Sequence, residues 1–266
     1  MSEQSSSLVD IQDLGSGIIK IILIDPDHKN TLSEKMIDEL QAAFDSQTDG
    51  DSRVLILAST GNVFSAGHDL KEIQAARSNA DQGREYFQFI LKKCSALMQS
   101  IIHHPKPIIA QVDGVATAAG CQLALSCDLV YASASSRFAT PGVNIGLFCS
   151  TPMVALSRNA SAKNSMEMLL TGDFISAGEA ADKGLINKSI DQANLEPYVI
   201  EKAKKIASKS KTTLKIGKKA FYEQIEMPLS KAYDYASQVM VENMLDQDAN
   251  EGMDAFLDKR PPSWKS

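Results

Sequence analysis

The chain has 266 residues, 44% hydrophobic and 23% charged, which suits one large domain, or one domain with a small appendage, around a sizeable core. Its net charge of −6 argues against nucleic acid as a partner, and a phosphate-bearing ligand would need a local basic patch. No apolar run approaches a membrane span, Cys94, Cys121, Cys127 and Cys149 lack C-x-x-C pairing and read as reduced thiols, and the four histidines carry no zinc spacing, so no membrane segment, disulfide framework or metal is expected.

The opening MSEQSSSLVD has no basic region, apolar signal core or arginines. It reads as cytosolic, or as a mitochondrial matrix protein from which a transit segment has been removed. Ile18 to Leu23 is short and β-branched and predicts a strand, which Asp25-Pro26-Asp27 breaks. Asn30-Thr31-Leu32-Ser33 then opens a helix through Phe44, with Ser33 as N-cap and Glu34 in the first turn. Arg53 to Ala58 is almost continuously apolar, as a strand buried on both faces should be. Gly61 to Gly67 reads as a loop, and an amphipathic helix follows over roughly Tyr86 to Ile102.

Lys106 to Phe148 is the most informative stretch. It predicts a strand over Pro107 to Val112, a helix carrying Leu123 to Cys127, and a strand over Leu129 to Ala132. Between the first strand and the helix lies Ala116-Thr117-Ala118-Ala119-Gly120, a turn nearly free of side chains. Its backbone N–H groups are open to an oxyanion. Strands alternating with helices argue for an α/β architecture. From Val199 onward only helical patterns remain, so residues 1–197 are expected to form the core and 198–266 a helical region for oligomerisation.

Five ordered motifs resemble the enoyl-CoA hydratase/isomerase (crotonase) family over nearly the whole chain. They are His28-Lys29-Asn30-Thr31-Leu32, the run from Phe64 through Ser65-Ala66-Gly67-His68-Asp69-Leu70-Lys71 to Glu72, and the Lys106–Phe148 block. The run from Met168 to Ile186 and Glu251-Gly252-Met253 with Phe256, Lys259 and Arg260 complete the set. The resemblance implies a crotonase-like spiral of β-β-α units, C-terminal helices that build a homotrimer or homohexamer, and an acyl-CoA thioester as substrate in fatty acid metabolism. Coenzyme A would arrive as part of that substrate, with no separate cofactor and no metal.

On this resemblance the oxyanion hole maps onto the backbone N–H groups of His68 and Ala119. The His68 side chain either lines the thioester pocket or is a solvated loop histidine whose backbone alone matters, the simpler reading. The two glutamates that hold water in family hydratases map onto Gln122 and Gly142. Gln122 orients water but takes no proton, and Gly142 offers no side chain. Poor hydration is therefore expected, with a catalytically degenerate acyl-CoA binder as the alternative, and Gln122→Glu with Gly142→Glu is expected to restore some activity. Ser150, at a third acid position, is not an acid either. Cys149 is a speculative base if it ionises, and Asn144 a neighbouring hydrogen-bonding group. Asp113 and Asp128 read as structural. Lys29, Thr31, Ala66, Asp69, Leu70 and Lys71 map onto the coenzyme A contacts, and Phe256 and Lys259 onto residues that reach a neighbouring subunit's ligand.

Overall fold

The computed structural model describes residues 7–266, so the first six residues of the N-terminal segment considered above lie outside it. Strand β1 (Val9–Asp13) pairs antiparallel with β2 (Ile18–Leu23). A 3-10 turn at Pro26–His28 leads to α1 (Glu34–Ser46), where Ser33 accepts the Met36 N–H at 3.2 Å as N-cap.

From there one pattern repeats: a strand in a large sheet, a short strand in a small sheet, then helix. Strands β3 (Val54–Ser59) and β4 (Val63–Ser65) with helices α2 (Leu70–Ala76) and α3 (Arg84–His103) form the first unit. The second is β5 (Ile108–Val112), β6 (Val115–Thr117) and α4 (Ala119–Leu125). The third is β7 (Leu129–Ser133), β8 (Arg137–Ala139), α5 (Pro152–Asn159) and α6 (Ala162–Thr171). Then come β9 (Ile175–Ser176), α7 (Ala177–Asp182), β10 (Lys188–Ile190) and four helices: α8 (Gln192–Ala207), α9 (Lys211–Gln224), α10 (Leu229–Met244) and α11 (Gln247–Leu257). The large sheet has the order β1-β2-β3-β5-β7-β10 and the small one β4-β6-β8-β9. This is the α/β spiral of β-β-α units that the motifs implied.

The sheet's period of two explains the unbroken apolar strands. Leu55 and Leu57 of β3 join the main core, while Val54 and Ile56 face a second core with Leu195, Val199 and Ala203 of α8. Lys20, on that second face of β2, pairs with Glu196 of α8. The expected division at 197/198 therefore falls inside a helix that covers the large sheet, and the packed core runs on to Ala207.

Helix α9 is pinned to the core by Lys218. Its ammonium donates to Asp128 Oδ2 at 2.7 Å and to the Ile101 and Lys106 carbonyls at 3.0 and 3.1 Å, using all three donors. Asp128 also accepts the Ile108 N–H at 2.7 Å and the Tyr222 hydroxyl at 3.0 Å, a structural set of partners. Asp113 accepts from Gln192 Nε2 at 3.1 Å, tying α8 to the end of β5. Among the described residues no helix is long and apolar enough to cross a membrane, and no cluster of His, Cys, Asp or Glu could hold a metal.

Three expected boundaries move. Asn30–Leu32 is not helical; Leu32 forms a parallel bridge to His68. Gly61–Gly67 contains β4, and Cys127 lies just beyond the end of α4.

Candidate active site

The parallel strands β4 and β6 lie side by side, with Ser65 opposite Ala116. Both run at their carboxyl ends into small-residue loops, Ala66-Gly67-His68 and Ala118-Ala119, where a crevice for a ligand forms in open parallel sheets. One hydrogen bond joins the loops and another braces the first of them. Thr117 Oγ1 donates to the Ala66 carbonyl at 3.2 Å, and the Gly67 N–H donates to Ser65 Oγ at 3.3 Å. Gly67 has φ +86°, and a Cβ there would stand 3.0 Å from Ala118 Cβ and 3.1 Å from the Ala119 nitrogen. Gly120 presses as closely on Ser65, whose carbonyl carbon and Cβ would each be 2.7 Å from an added methyl.

These contacts set two N–H groups near each other. In the Leu32–His68 bridge the Leu32 N–H donates to the Gly67 carbonyl at 2.8 Å, so the His68 N–H projects away from that segment. The Ala119 N–H belongs to the first residue of α4 and has no partner within the helix. Between them Ala118 adopts φ 49° and ψ −121°, a strained conformation for a residue with a Cβ.

The positions of the family acids look different. Gln122, one turn along α4 from Ala119, is 5% exposed, and its Oε1 has no hydrogen-bond partner among the described residues. Gly142 lies in a 3-10 turn over Pro141–Ile145, and its space is taken. A Cβ at 142 would stand 2.5 Å from the Leu147 carbonyl oxygen and 2.9 Å from Cys149 Sγ. The Leu147 N–H donates back to the Gly142 carbonyl at 2.9 Å, closing the turn. A glutamate put back at 142 would have to shift this turn.

Burial pushes the Cys149 thiol up, only partly offset by the Gly142 N–H, so it is a neutral thiol at pH 7 and not a ready base. His68 is not the solvated loop histidine of the simpler reading. Both ring nitrogens are buried without a hydrogen-bond partner among the described residues. Burial lowers its pKa, and the Leu32 carbonyl, close to the ring without making a well-formed hydrogen bond, raises it less.

The remaining expected residues divide. Lys29, Ala66 and Thr31 adjoin the loops: the Lys29 carbonyl accepts the Ala66 N–H at 3.1 Å, with Lys29 exposed and Thr31 half-buried. Asp69 caps α2, accepting the Lys71 N–H at 2.7 Å, and Leu70 and Lys71 are exposed. Phe256 is 82% exposed on α11, with Lys259 just beyond it; that helix packs against α9 and α10. Asn144 turns toward Gly172, and Ser150 Oγ donates to the Phe148 carbonyl. Sequence reasoning missed the bracing by Ser65 and Thr117. It also missed Asn30, which is buried at φ 48° and holds the Thr60 and Val63 carbonyls at 2.9 and 2.7 Å. The His28–Leu32 motif includes this asparagine, but nothing in it reveals which carbonyls the side chain holds.

A family model described as enoyl-CoA hydratase/isomerase matches residues 13–266. The mitochondrial enoyl-CoA hydratase domain-containing protein 3 of Rattus norvegicus is 48% identical over 249 residues, covering 93% of this chain and 81% of the relative. That of Homo sapiens is 47% identical over the same length, covering 93% and 80%. Among solved structures, human enoyl coenzyme A hydratase domain-containing protein 3 superposes with a TM-score of 0.92 at 46% identity, covering 97% of this chain and all (100%) of that one. An enoyl-CoA hydratase of Mycobacterium smegmatis gives 0.93 at 42%, covering 98% and 100%. With the spiral fold, the paired loops and these likenesses together, the chain belongs to the enoyl-CoA hydratase/isomerase family.

Proposed function

We propose that this chain binds an acyl-CoA thioester, holds its carbonyl oxygen on the His68 and Ala119 N–H groups as enolate character develops, and adds water to enoyl-CoA poorly. The contact at Gly142 carries the reading. The second acid is not only missing: the Leu147 carbonyl and Cys149 thiol occupy the space a side chain would need. Gln122, at the first acid position, orients water without accepting its proton. Two N–H donors aimed at a developing oxyanion remain useful alone, since losing one typically costs about 3–4 kcal/mol of transition-state stabilisation.

On this reading coenzyme A is part of the ligand and no separate cofactor is called for. Lys29 and Lys71, both exposed beside the loops, suit its phosphates, with Thr31, Ala66, Asp69 and Leu70 along the same path. Phe256 and Lys259 would serve a neighbouring subunit's ligand in a homotrimer or homohexamer. Support for assembly is the uncovered apolar surface of the C-terminal helices, where Leu229, Tyr233, Leu245 and Phe256 are exposed. Light scattering that finds a monomer would remove that part.

A second reading, a catalytically silent acyl-CoA binder, draws on the same contact at Gly142. Calorimetry with butyryl-CoA tests what both share. Butyryl-CoA should bind more tightly than free coenzyme A. Ala119→Pro, which removes one N–H at the first residue of α4, should weaken it about tenfold. Equal affinity for butyryl-CoA and coenzyme A, unchanged in the variant, would contradict the thioester reading.

A further inference from the structure

We propose that His68 is the proton acceptor of this site: its imidazole takes a proton from the α-carbon of a bound acyl-CoA. The electron pair of the broken C–H bond moves into the thioester carbonyl, and the enolate oxygen rests on the His68 and Ala119 N–H groups. The proton then returns from the ring to carbon, so the cycle balances with no water added and no oxidant needed. The inference rests on the acyl-CoA reading above.

Of the donor and acid positions, His68, Ala119, Gln122 and Gly142, only His68 carries a basic side chain. Gln122 is an amide, Gly142 has no side chain, Cys149 is a buried neutral thiol, and Asp69 is engaged in capping α2. The His68 ring is unlike the chain's other buried histidine. His104 has both nitrogens matched, Nε2 to the Phe44 carbonyl at 3.2 Å and Nδ1 to the Lys106 N–H at 3.2 Å, as buried polar groups ordinarily are. His68 has neither nitrogen matched. The ring is thus held out of water with the Leu32 carbonyl near it, and among the described residues nothing donates to its lone pair.

Placement supplies the other half of the argument. The ring hangs from the residue whose backbone N–H holds the oxygen, so the two stay within one side chain of each other. The α-carbon is two bonds from that oxygen. Gln122 Oε1, also buried and unmatched, lies one helical turn beyond the second donor, Ala119. Each donor thus has an orphaned polar side chain on its own residue or one helical turn along the chain. Burial holds the ring in its neutral, proton-accepting form, the Leu32 carbonyl opposes this weakly, and no charged side chain acts on the ring.

The test is deuterium exchange at the α-carbon of butyryl-CoA in heavy water, followed by proton NMR, beside calorimetric affinity for the same ligand. The full chain should speed exchange over buffer. His68→Ala and the polar variant His68→Gln should each lose about 100-fold or more. Affinity should fall far less, because the backbone N–H remains. Added imidazole should restore part of the exchange in His68→Ala, and the native rate should fall as pH drops below the histidine range. Native protein that binds without exchanging, variants that exchange at the native rate, or affinity lost in step with exchange would each overturn the role of His68. Failure of the native chain to bind butyryl-CoA would overturn the acyl-CoA reading beneath it as well.

Discussion

One half of the candidate site, the paired loops, and the other, the turn at Gly142, both depend on glycines, to opposite effect. At Gly67 and Gly120 the missing side chain lets two loops close on each other, with the Ala119 nitrogen beside Gly67. At Gly142 it leaves room that the protein itself fills, with the Leu147 carbonyl and Cys149 Sγ. An absent side chain can thus clear a path for a ligand or close one. Only the neighbours tell which.

The largest effect should come from breaking the first half. Gly120→Ala drives a methyl into the Ser65 backbone, where no rotamer change relieves it, and should cost about 3 kcal/mol or more in denaturant melts, with loss of butyryl-CoA binding. If stability and binding are kept, the tight packing of α4 on β4 is not what positions the loops.

Next comes the second half. Gln122→Glu with Gly142→Glu should destabilise the fold by about 2 kcal/mol and leave hydration of crotonyl-CoA unrecovered, because position 142 has no space. Adding Cys149→Ala removes one contact and leaves the Leu147 carbonyl. Recovery of hydration in the double variant would mean the 142–149 turn moves aside easily.

Ala118→Gly should sharpen the comparison by relieving the strained φ of 49°, a gain of about 1 kcal/mol in thermal melts with the ligand site kept. A loss would mean the Ala118 methyl packs usefully against Gly67. The smallest effect is expected from Gln122→Met. It replaces a buried unmatched oxygen with an apolar group of similar size, and should stabilise the unliganded chain by about 0.5–1 kcal/mol. Destabilisation would show that Gln122 already supports the fold.

Much of the frame was legible in the sequence. Ile18–Leu23 matches its strand, Ser33 is the N-cap, and the apolar run ending at Ala58 is buried on both faces. The small sheet was not legible, because strands of two or three residues, such as β4, β8 and β9, show no periodicity. The two loops could be read because small residues cluster in order. What fills position 142 could not, since Leu147 and Cys149 reach it only after a turn folds back. The surroundings of His68 likewise include a bridge to Leu32, which lies far back in the chain. The edge of the core was hidden because α8 looks like the other helices of the tail until its Leu195, Val199 and Ala203 stripe meets the sheet.

The most direct test of the poor-hydratase reading is crotonyl-CoA hydration by the native chain, under conditions where calorimetry shows crotonyl-CoA bound. Loss of the conjugated double bond should run about 10⁴-fold or more below an efficient hydratase, since the two acid positions lack acids. Turnover approaching the diffusional ceiling of about 10⁸ M⁻¹s⁻¹ in kcat/KM would contradict the account, because the two positions without acids would then not limit hydration.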